Sequence, residues 1–251
     1  MIKIKIVIAF FLIKGCSNKN YQHFQLSKIT TDKATYNGYL IERNEGVYPL
    51  NGASITDSSF GLLLVHGYYP SSWPTKGYEW TEAILSLAKL ERPVWWFRHN
   101  WHECPEKSTI KLKNAIDSII NKNTHLDSLW IIGHSYGGLI VSDLAEKWNH
   151  SFLLSVHAIA APLSGSYDRV NSCQTKGKPV YTISPSVKYT QWKTDHMSDG
   201  AFKHLNIDPQ DVILKNGVNI ELPKTWKKNR LGHNRSIQYV TNFLIKSLNP
   251  A

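Results

Sequence analysis

The stretch that decides the fold is Ser128-Leu-Trp-Ile-Ile-Gly133-His134-Ser135-Tyr136-Gly137-Gly138, continued by Leu-Ile-Val-Ser-Asp-Leu-Ala-Glu-Lys-Trp148. It begins as a short apolar run with no polar alternation, the pattern of a strand buried on both faces. It ends as an apolar helix. Between the two lies G-x-S-x-G, Gly133 to Gly137. Alone, that five-residue pattern arises by chance in roughly 8% of chains this long. A strand directly before it and a helix directly after it are what make it informative. So sharp a turn excludes side chains at both glycines. It lifts the Ser135 hydroxyl clear of the sheet edge and sets it at a helix N-terminus, where N–H groups favour developing negative charge.

Working outward, strands and helices alternate. Phe60 to Val65 is a second continuous apolar run, ending in His66-Gly67-Tyr68-Tyr69-Pro70. Tyr78 to Leu90 has apolar residues at helical spacing, as does Thr109 to Asn123 (Ile110, Leu112, Ile116, Ile119, Ile120). Val94 to Phe97, Phe152 to Ile159, Pro179 to Ile183, Val187 to Trp192 and Val218 to Leu222 read as further strands, and Ser236 to Leu248 as a closing amphipathic helix. Alternation with continuous Val/Ile/Leu strands predicts an α/β fold with a doubly wound, mostly parallel sheet flanked by helices. Ligands of such sheets sit beyond the carboxyl ends of the strands. The turns after Val65 and Ile132 both lie there.

Composition agrees. The chain has 251 residues, 42% hydrophobic and 19% charged, with 15 Gly and 11 Pro. That is enough chain to bury a full core, and it excludes disordered, collagenous and repeat architectures. The net charge is +10. Three of its lysines (Lys3, Lys5, Lys14) lie in the first 15 residues, and the rest are scattered apart from the run Lys224 to Arg230. No nucleic-acid-binding motif accompanies them, so a nucleic-acid partner is not expected.

The N-terminus, MIKIKIVIAFFLIKGC, has a basic start and an apolar stretch, Ile6 to Ile13, too short to span a bilayer. Ile13-Lys14-Gly15-Cys16 resembles a bacterial lipoprotein box, with Lys14 standing where a small residue is usual. Residues 1–16 are thus expected to be an export signal with Cys16 as the lipidation site, residues 17–30 a polar tether, and residues 31–251 the folded domain. The expected location is the cell envelope, with a membrane reached through the lipid. Cys104 and Cys173 then remain, to form one disulfide or stay as two thiols. No metal-type Cys/His spacing is present.

With the GHSYGG turn, the HG loop and the order of elements in hand, residues 60–248 resemble the α/β-hydrolase superfamily, in particular its lipase/esterase-like serine hydrolases. The resemblance implies an eight-stranded sheet and a Ser–acid–His triad in that chain order. Ser135 is the implied nucleophile. The backbone N–H groups of Tyr136 and Tyr68 are the implied oxyanion donors, with His66 a structural support of the loop. The implied base is a late histidine before the last helix, which His233 fits better than His196 or His204. The acid should follow the seventh strand, where Asp199-Gly200 matches the expected turn. Asp195 and, more remotely, Asp168 are the alternatives. The implied reaction is hydrolysis of a small-molecule or lipid carboxylic ester through an acyl-enzyme, with no metal or organic cofactor. Two other readings stay open: an inactive hydrolase fold that binds a partner in the envelope, and action on thioesters or amides.

Overall fold

The computed structural model describes residues 23–165, 173 and 177–248. The signal segment, Cys16, Asp168 and most of the connection 163–178 lie outside the described residues.

The strands are β1 (Phe24–Gln25), β2 (Gly46–Asn51), β3 (Phe60–Val65), β4 (Val94–Arg98), β5 (Ser128–His134), β6 (Leu153–Ile159), β7 (Val180–Thr182), β8 (Val187–Lys193), β9 (Ile213–Lys215), β10 (Val218–Glu221), β11 (Thr225–Trp226) and β12 (Asn229–Arg230). The α-helices are α1 (Thr81–Leu87), α2 (Pro105–Lys122), α3 (Tyr136–Lys147) and α4 (Arg235–Leu248). Eight strands form one sheet in the order β1-β2-β4-β3-β5-β6-β8-β10. Every neighbouring pair is parallel except β2 with β4. The expected fold class, a mostly parallel eight-stranded sheet with helices on both faces, is the one observed.

The continuous apolar strands follow from that architecture. Side chains alternate between faces along a strand. Leu63 and Val65 of β3, with Leu129 and Ile131 of β5, pack under α2 and α3. Leu62 and Leu64, with Trp96 of β4 and Ile132 of β5, pack under α1 and α4 through Trp80, Ile84, Ile237 and Val240. Both faces are covered, so β3 and the middle of β5, Leu129 to Ile132, are apolar throughout. On α2 the expected apolar face holds except at Ile110, which is 63% exposed, and the helix starts earlier, at Pro105.

Two features differ from expectation. The stretch read as a tether contributes β1: Phe24 is buried and pairs in register with Leu50 of β2. The run Pro179 to Ile183 supplies a strand, β7, that stays out of the main sheet and pairs with β9. The basic run 224–230 is a two-stranded hairpin, β11 with β12, whose tip residues Lys227 and Lys228 both adopt positive φ.

Cys104 and Cys173 are joined in a disulfide. It ties the loop after β4 to the connection after β6, closing a loop between residues 69 apart. Loop-closure entropy alone puts the value of such a link at about 4 kcal/mol. Replacing both cysteines by serine should lower the unfolding free energy by about 2–4 kcal/mol in chemical denaturation. An unchanged midpoint would mean that the link carries no stability.

Candidate active site

Ser135 sits between the last residue of β5 and the first of α3, at φ 54 and ψ −120. A non-glycine residue held at such angles costs on the order of 1–3 kcal/mol, and surrounding contacts must enforce it. The Ser135 N–H donates to the Ile159 carbonyl (2.8 Å), and the Ser135 carbonyl accepts from Leu139 N–H (3.2 Å), starting the helix. The flanking glycines show why the motif needs them. A Cβ at Gly133 would lie 2.6 Å from the Gly137 carbonyl oxygen. A Cβ at Gly137 would lie 2.4 Å from the carbonyl oxygens of Val65 and His66. These obstacles are backbone and cannot swing away, so α3 is drawn against the ends of β3 and β5 only with glycine there.

Ser135 opens onto a cavity of about 570 Å³ that also holds Tyr68, Tyr136, His233 and Glu79. His233 lies in the loop before α4, and its Nδ1 is 3.0 Å from Oδ2 of Asp199. Asp199 is fully buried. Burial alone would raise its pKa. The bonds from His233, the Thr194 hydroxyl (2.5 Å to Oδ2) and the Ala201 N–H (2.8 Å to Oδ1) outweigh burial and hold the carboxyl below the ordinary range. An ionised Asp199 accepts only, so His233 carries its proton on Nδ1 and leaves Nε2 as the acceptor nitrogen. Asp195, the rival candidate, points elsewhere. Its carboxylate accepts from Ser198 N–H (3.0 Å), capping a 3-10 turn at His196–Ser198, and pairs with Lys224. His196 bonds the Phe202 carbonyl (2.9 Å), and His204 lines the cavity rim.

The expected supporting role of His66 is realised, with a partner that sequence reasoning missed. His66 is fully buried, donates from Nδ1 to the Gly67 carbonyl (2.8 Å) and accepts at Nε2 from His99 N–H (3.3 Å). His99 donates from Nε2 to the His66 carbonyl (2.8 Å), and the two rings stack with centroids 4.0 Å apart. Burial holds both histidines neutral, His99 at about 4. The loop carrying Tyr68 is therefore clamped to the end of β4. Three other supports have no local signature. His134 donates from Nε2 to the His233 carbonyl (3.1 Å). Gln210 accepts from Thr194 N–H (2.9 Å). Glu79 accepts a bond from the buried Tyr69 hydroxyl within the cavity wall. The partners lie 99, 16 and 10 residues apart in sequence, at spacings that belong to no local motif.

No protein-family model and no curated protein matches the sequence. Among solved structures, the chain is similar to an α/β serine hydrolase homologue from Coxiella burnetii, at 13% identity over 80% of this chain and 90% of that one, with a TM-score of 0.50. It is similar to an α/β serine hydrolase without a lid from Xanthomonas campestris, at 14% identity, covering 82% and 89%, with a TM-score of 0.50. It is also similar to an esterase from Pyrococcus furiosus, at 13% identity, covering 76% and 80%, with a TM-score of 0.50. At these identities the likeness establishes the α/β-hydrolase fold.

Burial is the main force on the Glu79 carboxyl and pushes it up to about 7, against the bond from Tyr69, backbone N–H contacts and the nearby His233, all of which favour its charge. A raised carboxyl contributes stability that is complete below its unfolded value, near 4.3, and is lost as pH rises through 7. Glu79→Gln should therefore gain stability relative to wild type between pH 5 and pH 8, by on the order of 1–3 kcal/mol. Denaturation at both pH values checks this. A difference that stays constant with pH would mean that Glu79 titrates normally.

Proposed function

We propose that this protein is a serine hydrolase that cleaves carboxylic esters, with Ser135 as nucleophile, His233 as base and Asp199 as the acid that orients it. The observation that carries this reading is the juxtaposition of a strained serine and a histidine in one cavity, the histidine bonded through Nδ1 to a buried, ionised aspartate. In this scheme His233 Nε2 takes the Ser135 proton as the hydroxyl oxygen attacks the ester carbonyl. Asp199 fixes the tautomer and stabilises the imidazolium. The N–H groups of Tyr136, at the start of α3, and of Tyr68 receive the oxyanion. An aligned donor of this kind contributes about 3–4 kcal/mol to the transition state. The alcohol leaves with the proton from His233. Water, deprotonated by His233, then attacks the acyl carbon and releases the acid. Tyr68, Tyr69 and Phe202 give the cavity an apolar wall suited to an acyl chain.

A fluorophosphonate probe applied to the folded protein should label Ser135 and no other residue. Ser135→Ala should abolish the labelling, and Asp199→Asn should lower kcat on p-nitrophenyl acetate by roughly 10³–10⁴. Folded wild type that is not labelled, or labelling that survives Ser135→Ala, would refute the assignment.

We propose further that the chain is exported and anchored at Cys16. The Cys104–Cys173 disulfide supports an oxidising compartment, and the basic and apolar N-terminal segment supports an export signal. Labelled palmitate fed to a bacterial host should enter the wild-type protein and not Cys16→Ser. Equal incorporation, or none in wild type, would remove the anchor.

A further inference from the structure

The cavity beside Ser135 does not end at its own wall. A second cavity of about 320 Å³ shares Trp73, Glu79, Asn234 and Arg235 with it, so the two adjoin at those residues. The chemistry changes across that junction. The Ser135 side is dominated by aromatic rings, whereas the far side has one ring of its own, Tyr78, among the polar residues Lys33, Thr75, Thr81, Glu82 and Gln238. Gln238 of α4 donates to Glu82 of α1, which fixes the far wall.

Two properties of the far cavity narrow its ligand. Its charged groups are of both signs, with Lys33 and Arg235 facing Glu82 and the Glu79 carboxyl, which burial keeps partly protonated near neutral pH. A site for an anion or a cation would present groups of one sign. Amide, hydroxyl, carboxylate and cationic groups instead supply donors and acceptors side by side, which suits a neutral group bearing several hydroxyls. At the junction stands Trp73, its side chain 42% exposed. An open indole offers a flat apolar face, and the C–H face of a sugar ring packs on such a surface while its hydroxyls radiate outward to polar partners.

We propose that the second cavity is the subsite for the sugar portion of an O-acylated carbohydrate, and that the enzyme removes the acyl group from it. This rests on the ester-hydrolase reading of Ser135. The sugar ring lies on Trp73, with Glu79 and Asn234 at the junction and Glu82 and Gln238 at the far end, while the acyl group enters the aromatic side. Attack by Ser135 breaks the bond between the acyl carbon and the sugar oxygen. That oxygen takes the proton held by His233, and water then converts the acyl-serine to the free carboxylic acid and the serine hydroxyl.

Steady-state kinetics on two probes, p-nitrophenyl acetate and the 6-O-acetyl ester of methyl glucoside, test the proposal. Glu82→Ala and Gln238→Ala change residues that line only the second cavity. Each should raise KM for the glucoside ester roughly 3–10-fold, the effect of one lost hydrogen bond. kcat/KM on p-nitrophenyl acetate should stay within about twofold of wild type in the same preparations. Trp73→Ala should weaken the glucoside ester more than p-nitrophenyl acetate. Hydrolysis of p-nitrophenyl acetate but not of the glucoside ester would overturn the subsite and leave the esterase reading standing. So would far-wall variants that shift both probes in parallel or shift neither. Wild type inactive on both probes would overturn the esterase reading itself.

Discussion

A single close approach organises this molecule. The backbone at Gly137 passes so near the carbonyls of Val65 and His66 that a methyl group there would sit 2.4 Å from both oxygens. The contact fixes the start of α3 against the ends of β3 and β5. It forces Ser135 into a positive-φ turn, because the chain must leave a buried strand and enter a helix with no residues to spare. The two loops that matter for the site, after β3 and after β5, are therefore held at van der Waals distance by backbone alone. Packing on the two faces of the sheet supplies the stability that keeps the strained serine in place.

Around that point the protein arranges neutral histidines as rigid connectors. His66, His99 and His134 are buried, and burial drives each well below its ordinary pKa. Kept neutral, each offers one donor and one acceptor nitrogen. His66 and His99 use both backbone and ring to bind each other's loops, and His134 reaches from the end of β5 to the His233 carbonyl. Asp199 is treated in the opposite way. It is surrounded by donors, from His233, Thr194 and Ala201, that keep its charge despite complete burial. Histidines that stay neutral and a carboxylate that stays ionised are environments of opposite kind a few residues apart in space. In the proposed mechanism His233, held between them, is the imidazole that exchanges a proton.

Much of this was legible in the sequence, for a physical reason. Strands covered on both faces are largely apolar, so β3, β4 and β5 announce themselves as near-continuous runs, whereas β6 carries Ser155 and His157 and β8 alternates through Lys188, Thr190 and Lys193. The Ser135 turn does so through its glycines, and His233 through its place before the last helix. The rest depended on long-range contacts. β1 has only two residues and one buried ring, Phe24, so it hides in a polar stretch. β2 lies near the sheet edge and keeps several half-exposed positions, so it lacks a continuous apolar signal. Asp195 and Asp199 are equal by composition. What separates them is a 3-10 turn that spends one carboxylate on a cap and turns the other toward His233. His99, Gln210 and Glu79 acquire their roles only when the folded chain brings their partners to them.

The central claim is that the strained serine is the group that takes the acyl chain during turnover. Turnover of p-nitrophenyl acetate, quenched in acid within milliseconds and followed by peptide mass spectrometry, observes that group directly. The account predicts an acetyl adduct on Ser135 that appears before steady state and vanishes as substrate is exhausted. An adduct on another residue, or steady hydrolysis with Ser135 unmodified at every quench time, would contradict it.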